Sequence, residues 1–442
     1  MSRSVFFYIC GINPNAYNDM RSPLFAISTF VTLLFAGCDS DNSQYPTGSD
    51  GPINSDIVLE LPSSMELTPA ELKLVNCSNG FTFDLFSKLC ETKGNSSVVS
   101  SPLSVTYALG MLNNGAKGNT QKQINDVLGF GDSGADSINA FCYKLINTAP
   151  VLDSLTKILL ANTIFVNKNE TLKELFVRKA NLYYKADAKS RDFSDANTLN
   201  EINQWASDNT EQLIQKVLKE DEYSPLAVSY LLNAIYFKGT WAYKFDKNKT
   251  VDESFFLAGG QGSVKSIPMM QMTSIFDYAQ NDEYEALCLP YGNGSFRMTI
   301  LLPVISQGQN GYDVPTVPSL ETWNQLNQSM RKTDYTVKLP RFETDSEANL
   351  IPIMESLGMT DAFESGTADF SDFCETADGV YINLLKQVAK IKVDEEGSEA
   401  AAVTVIGTWK SYTTFNANRP FIYVISDTVT GSIFFIGRYT GI

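Results

Sequence analysis

Near the C-terminus, Asp394-Glu395-Glu396-Gly397-Ser398-Glu399-Ala400-Ala401-Ala402-Val403-Thr404-Val405 combines an acidic cluster, a glycine, three alanines and a β-branched run that continues into Ile406. A strand-like run precedes it and further strand patterns follow. In extended backbone, successive side chains point to opposite faces. Ala400, Ala402, Thr404, Ile406 and Thr408 would then share one face, and none carries a charge. Glu399 falls on the other face. The segment suits an exposed loop, and a sheet interior would also accept it. A chain built around it must supply a sheet that takes one more strand, which points to a conformational switch.

With 442 residues, 43% of them hydrophobic, the chain has ample material for a large core. No linker-like composition interrupts 70–442, so this region is expected to be one domain. The net charge of −16 argues against a nucleic-acid partner. The chain has no histidine. That excludes Ser-His-Asp and Cys-His catalysis and zinc sites that use histidine. No Cys-x-x-Cys pair replaces the missing ligands, and no Ser-Lys or carboxylate motif stands out. The expectation is a protein that is not an enzyme, with no metal and no cofactor. Of seven cysteines, Cys10 and Cys38 precede the globular region. Cys77 and Cys90 are placed on one helix, roughly 20 Å apart along it, too far for a disulfide. Buried free thiols are expected.

The N-terminus reads as an address. After Met20-Arg21 comes a short apolar run, Leu24 to Phe35, ending at Ala36-Gly37-Cys38. A basic residue, a short apolar stretch and small residues before the break make an export signal over 1–37, too short for a comfortable membrane span. Residues 1–19 add nothing to such a signal, and Met20 is an alternative start. Ala-Gly-Cys resembles the bacterial lipobox, which implies a lipid on Cys38. Phe35 stands where that motif prefers leucine, and an ordinary cleaved signal peptide is the other reading. Residues 38–67 are rich in Pro, Gly, Ser and Asp and read as a flexible tether. The acidic residues after Cys38 resemble surface-export signals of some Gram-negative lipoproteins. The expected location is the bacterial outer membrane or cell surface through the lipid, or a secreted or periplasmic state.

From residue 68 the pattern is globular. Thr68-Pro69 reads as N-cap and first helical position, and Phe81, Phe83, Leu85 and Phe86 continue an amphipathic helix. Ser101-Pro102 opens a second helix. Strands are expected over Lys157–Val166, Leu231–Phe237, Met298–Leu302 and Tyr381–Val393, with a strand pair from Phe421 to Ile436 around Thr430-Gly431. Helices dominate the first half and strands the second, an α+β pattern.

Several blocks resemble the serpin family. They are Ser101-Pro102-Leu103-Ser104 with Leu112-Asn113-Asn114-Gly115-Ala116-Lys117-Gly118-Asn119-Thr120, Leu232-Asn233-Ala234-Ile235-Tyr236-Phe237-Lys238-Gly239-Thr240-Trp241, Leu339-Pro340-Arg341-Phe342, Leu357-Gly358-Met359-Thr360-Asp361-Ala362-Phe363, Asn418-Arg419-Pro420-Phe421 and Phe435-Ile436-Gly437-Arg438. They occur in the family's order across about 70–442. The resemblance implies an α+β fold of helices packed on three β-sheets, with an exposed reactive-centre loop. It implies a single domain over 68–442, a monomer, and a covalent acyl complex with a target serine or cysteine protease. The cleaved loop would then enter the central sheet.

On this reading the hinge is Glu395, Glu396, Gly397, Ser398, Glu399, Ala400, Ala401 and Ala402. Small uncharged side chains at Ser398 and Ala400 to Ala402 cost little on burial, whereas a charge there would be buried unpaired. Counting from the hinge puts Ser411 before the scissile bond, and counting back from Pro420 puts Trp409 there. Lys410-Ser411 is the chosen bond and suits a trypsin-like protease. Trp409 or Tyr412 would suit a chymotrypsin-like one. The shutter under the sheet maps to Ser101, Asn233 and Gln387, the last where many animal serpins carry a histidine, and the breach to Trp241. Only Lys117 and Lys122 flank the turn after Gly118, so a heparin-type activator is not expected. A non-inhibitory serpin acting as a binding or structural protein is the alternative.

Overall fold

The structure is a computed structural model and describes residues 65–259, 263–305, 313–376, 379–396 and 413–442. The calls on the 1–37 signal, Cys38 and most of the 38–67 tether lie outside them. Among the described residues the helices are α1 (Pro69–Lys93), α2 (Pro102–Asn113), α3 (Gly118–Val127), α4 (Ala135–Thr148), α5 (Glu174–Tyr184), α6 (Thr198–Asn209), α7 (Leu320–Ser329) and α8 (Ile351–Ser356). The first strands are β1 (Val98–Ser100), β2 (Thr156–Asn167), β3 (Asp187–Arg191), β4 (Ser229–Gly239), β5 (Val251–Phe256), β6 (Val264–Gln280) and β7 (Tyr284–Tyr291). The rest are β8 (Phe296–Pro303), β9 (Arg331–Pro340), β10 (Phe342–Asn349), β11 (Leu384–Val393), β12 (Thr413–Asn416), β13 (Phe421–Asp427) and β14 (Ile433–Tyr439).

Local chemistry sets the helix starts. The Thr68 hydroxyl accepts from the Glu71 amide at 3.2 Å, and the Glu71 carboxylate accepts from the Thr68 amide at 2.7 Å. This reciprocal cap, with Pro69 behind it, satisfies donors that a helix start leaves open. α2 is buried along its whole length, as a helix that is apolar all round must be. Its first turn is capped by the Ser101 hydroxyl.

The strands form two hydrogen-bonded networks. One runs β1-β14-β13-β8-β7-β6-β9-β12, with β5 on β6. The long β6 pairs with β5 and β9 along most of its length and with β7 at its end, so two of the three expected sheets join through it. The other network is the five-stranded sheet β10-β11-β4-β2-β3. The main core fills the space between α1, α2 and both sheets, and a second, smaller core covers the opposite face of the five-stranded sheet. The strand expected from Tyr381 starts at Leu384. Asn383 instead turns its side chain to accept from the amides of Val228 and Ser229. Cys77 and Cys90 both lie on α1, and burial pushes the Cys90, Cys142 and Cys374 thiols up to about 12.

Candidate functional site: the β4–β11 seam

β4 and β11 lie side by side in parallel, from Leu384 opposite Tyr230 to Ile391 opposite Phe237. Their side chains alternate. Leu231, Ile235, Leu385, Ala389 and Ile391 face the main core, whereas Tyr230, Leu232, Ala234 and Leu384 face the second core. The phase that brings Leu385 and Ala389 inward also turns Gln387 inward, beside Asn233.

On that inner face a neutral hydrogen-bonded ladder crosses three strands. Asn162 of β2 accepts from the Asn233 amide at 2.7 Å. The Asn233 carbonyl oxygen accepts from the Gln387 amide at 2.9 Å and from the Ser104 hydroxyl of α2. The same Gln387 amide donates to the Ser101 carbonyl at 2.9 Å. Its own oxygen accepts from the Ser100 hydroxyl at 2.7 Å and the Ser101 amide at 3.3 Å. Gln387 is therefore saturated, with both N–H donors and both acceptor sites used. The structure brings Ser101, Asn233 and Gln387 together, but Ser101 takes part through its backbone. The hydroxyls in the ladder are those of Ser100 and Ser104. Those two residues and Asn162 were not assigned from the sequence. Asn162 was visible as the polar break in an apolar run.

At the top of the seam the chemistry is charged. Trp241, just past β4, donates its indole N–H to the Asp394 carbonyl at 2.8 Å and stacks on Tyr291 with ring centres 4.3 Å apart. Gly239 permits this approach, since a Cβ there would meet the Tyr291 ring at 2.5 Å. Glu395, assigned to the hinge from the sequence, is buried at 3% exposure. Its carboxylate accepts from Arg341 at 2.6 Å and from the Thr250 hydroxyl at 2.7 Å. Burial pushes this carboxyl up, but the bonds from Thr250 and Arg341 outweigh it and hold Glu395 below its ordinary range. Glu396 pairs with Lys247 near the surface. Arg341 belongs to a block quoted from the sequence, yet its pairing with the hinge depends on the β10–β11 register and was not read there. Gly397, Ser398, Glu399, Ala400, Ala401 and Ala402 of the hinge lie outside the described residues. So do Trp409, Lys410, Ser411 and Tyr412.

Residues 76–442 match the model of the serpin (serine protease inhibitor) family. Human serpin B3 is 32% identical over 391 residues, covering 83% of this chain and 99% of that protein. The leukocyte elastase inhibitor of Xenopus tropicalis is 34% identical over 374 residues, covering 81% of this chain and 97% of the relative. Among solved structures, the thermophilic serpin tengpin in its native state superposes with a TM-score of 0.73 at 27% identity, over 86% of this chain and 97% of that one. Native protease nexin-1 with heparin gives 0.74 at 26%, over 84% and 99%. Fold, ordered sequence blocks and family match agree: this chain belongs to the serpin family.

Proposed function

We propose that the chain is a conformational-trapping inhibitor of serine proteases, with Lys410-Ser411 as the bond offered and a trypsin-like enzyme as the target. The parallel β4–β11 pair carries this reading. A segment that leaves the end of β11 and folds back runs antiparallel to β11, and therefore to β4 as well, so it can pair with both edges once they part. The segment that follows β11 has the composition such a strand needs, small at Ser398 and Ala400 to Ala402. About fifteen residues of strand span on the order of 50 Å at ~3.3 Å each, enough to carry an acyl-linked protease from one end of a domain to the other. Attack by the protease serine breaks the Lys410–Ser411 peptide bond, joins the Lys410 carbonyl to the enzyme as an ester and frees the Ser411 amine. Insertion then leaves that ester distorted and unhydrolysed. The name of the Xenopus relative, an elastase inhibitor, supports inhibition as the activity. The export signal and the lipidated Cys38 complete the proposal as a surface-anchored protease shield.

The test is to mix the protein with trypsin-, chymotrypsin- and elastase-like proteases and look for an SDS-stable complex. The expected result is a complex with the trypsin-like enzyme and a released C-terminal fragment beginning at Ser411. A fragment beginning at Lys410 or Tyr412 would move the bond. Loop cleavage with no complex for any protease would make the chain a substrate and overturn the reading.

A further inference from the structure

Lys386 lies within β11, between Leu384 and Val388, on the outer face of the five-stranded sheet. It is nearly inaccessible, with a side-chain exposure of 2%. A buried ammonium must be paired or lose its charge. Its partners are both carboxylate oxygens of Glu222, at 2.7 and 2.6 Å, and Glu347 of β10 at 3.5 Å.

Glu222 belongs to a strap, residues 210–228, that runs from α6 over this face and feeds into β4. The strap is fixed to α6 and to the β4 side of the seam. The Asn203 side chain accepts from the amides of Val217 and Leu218. The Ser224 amide donates to the Tyr230 hydroxyl at 2.6 Å. Ile214, Val217 and Leu218 pack in the second core with Ala161, Phe165, Tyr230 and Leu232. Across the seam the strap meets Leu384 and Val388 and two lysine–glutamate pairs. Lys219–Glu347 is half exposed, whereas in Lys386–Glu222 the lysine is buried and the glutamate side chain is 27% exposed.

We infer that the Lys386–Glu222 pair is a latch across the seam that slows loop insertion, which makes Lys386 and Glu222 positioning residues for the trapping step. A strand inserted between β4 and β11 roughly doubles their ~4.8 Å spacing. Glu222 must travel with β4, to which it is joined a few residues on. Lys386 and Glu347 stay together, because β10 and β11 remain paired. The pair to Glu222 therefore exists only while the sheet is closed, and Lys386 retains Glu347 afterwards. The inference rests on the inhibitory reading, because it presupposes that insertion occurs.

The experiment uses intact protein and thermolysin, a metalloprotease that forms no acyl-enzyme and so cuts a loop without being trapped. Tm is measured before and after the cut, and warm incubation follows the conversion of intact protein to a urea-resistant form. Glu222→Gln should raise that conversion rate at least about tenfold, since in the closed sheet only it takes from the buried ammonium its closer carboxylate and leaves Glu347 at 3.5 Å. It should leave the Tm of the cleaved protein unchanged. In a Lys386→Met background the same substitution should change little, because no buried charge remains to be stranded. A Glu222→Gln rate equal to wild type, an equal loss of Tm in intact and cleaved forms, or the same acceleration in the Lys386→Met background would each overturn the latch. If cleaved wild-type protein shows no rise in Tm, insertion itself fails and the inhibitory reading falls with it. A normal rise with no effect of Glu222→Gln removes the latch alone.

Discussion

β13 in the nine-stranded network and β11 in the five-stranded sheet each lie between two hydrogen-bonded neighbours, yet they are filled differently. β13 is buried at every position, and Phe421 to Ile425 are all large apolar or aromatic side chains. β11 carries Lys386, Gln387, Lys390 and Lys392 within ten residues. Apolar burial is non-directional and grows with area removed from water, so β13 has no alternative arrangement as favourable as the one it occupies. The polar contacts of β11 are specific to one spacing. Asn233 and Gln387 bond to one another only while β4 and β11 are adjacent, and an incoming strand would offer new partners for the backbone edges they leave. β13 is held by area alone, whereas β4 and β11 add to the apolar side chains they turn to both cores a set of matched polar groups that fits only the closed spacing.

The largest effect should come from the locked side. Ile422 is fully buried in β13. Ile422→Ala should cost about 2–5 kcal/mol through lost transfer energy and the cavity left behind. Denaturant unfolding should show that loss in the intact protein and in the loop-cleaved form alike. A loss confined to the intact form would mean that the nine-stranded network also rearranges on insertion.

Next comes the ladder. Gln387→Leu leaves the Ser100 hydroxyl, the Ser101 backbone and one Asn233 acceptor short of partners, at about 1–3 kcal/mol for each group left truly unsatisfied. The loss should be smaller after cleavage, when the strands have parted. Gln387→His is the more telling substitution. An amide has no proton to gain near neutrality, so wild-type conversion to the urea-resistant form should be flat between about pH 5 and 8 through this site. The histidine variant should acquire a midpoint near ~6.5, displaced downward by burial. A midpoint in the wild-type protein would place a titrating group in the seam other than Gln387.

What the sequence made legible follows the range of the interactions. The Thr68-Pro69 start of α1 was readable because a cap involves neighbours along the chain. Asn233 was reached through the shutter position that the resemblance implies, and the ordered blocks carried the fold. The partners of these residues were not readable. Asn162 meets Asn233 only through the β2–β4 register, and Arg341 meets Glu395 only through that of β10 and β11. Lys386 was not singled out from the sequence at all. A lysine alternating with Leu385 and Gln387 reads as a solvent-facing position, and its burial comes from a strap well over a hundred residues earlier in the chain. The joining of two expected sheets was not readable either, since β6 takes β5 and β7 from the adjacent chain but β9 from about fifty residues on.

The smallest effect belongs to Glu395, at the top of the five-stranded sheet, where the chain after β11 is tied by charge to the chain before β10. Its folded carboxyl lies below its ordinary value of 4.5, so the folded state favours the ionised form. The stability this supplies is fully present above about 4.5 and is lost as pH falls through the lower folded value. Arg341 is nearly half exposed, and solvent screening limits the contribution to about 1 kcal/mol. Glu395→Gln should therefore lower stability slightly at neutral pH and flatten the acid limb of denaturant unfolding measured from pH ~6 downward. Because Arg341 lies beside β10 and Glu395 follows β11, the two should stay together when β4 moves away, so the cleaved form should show the same flattening. A flattening seen only in the intact protein would mean that Glu395 is drawn into the inserted strand, making the charged top of the seam separable in the same way as the ladder below it.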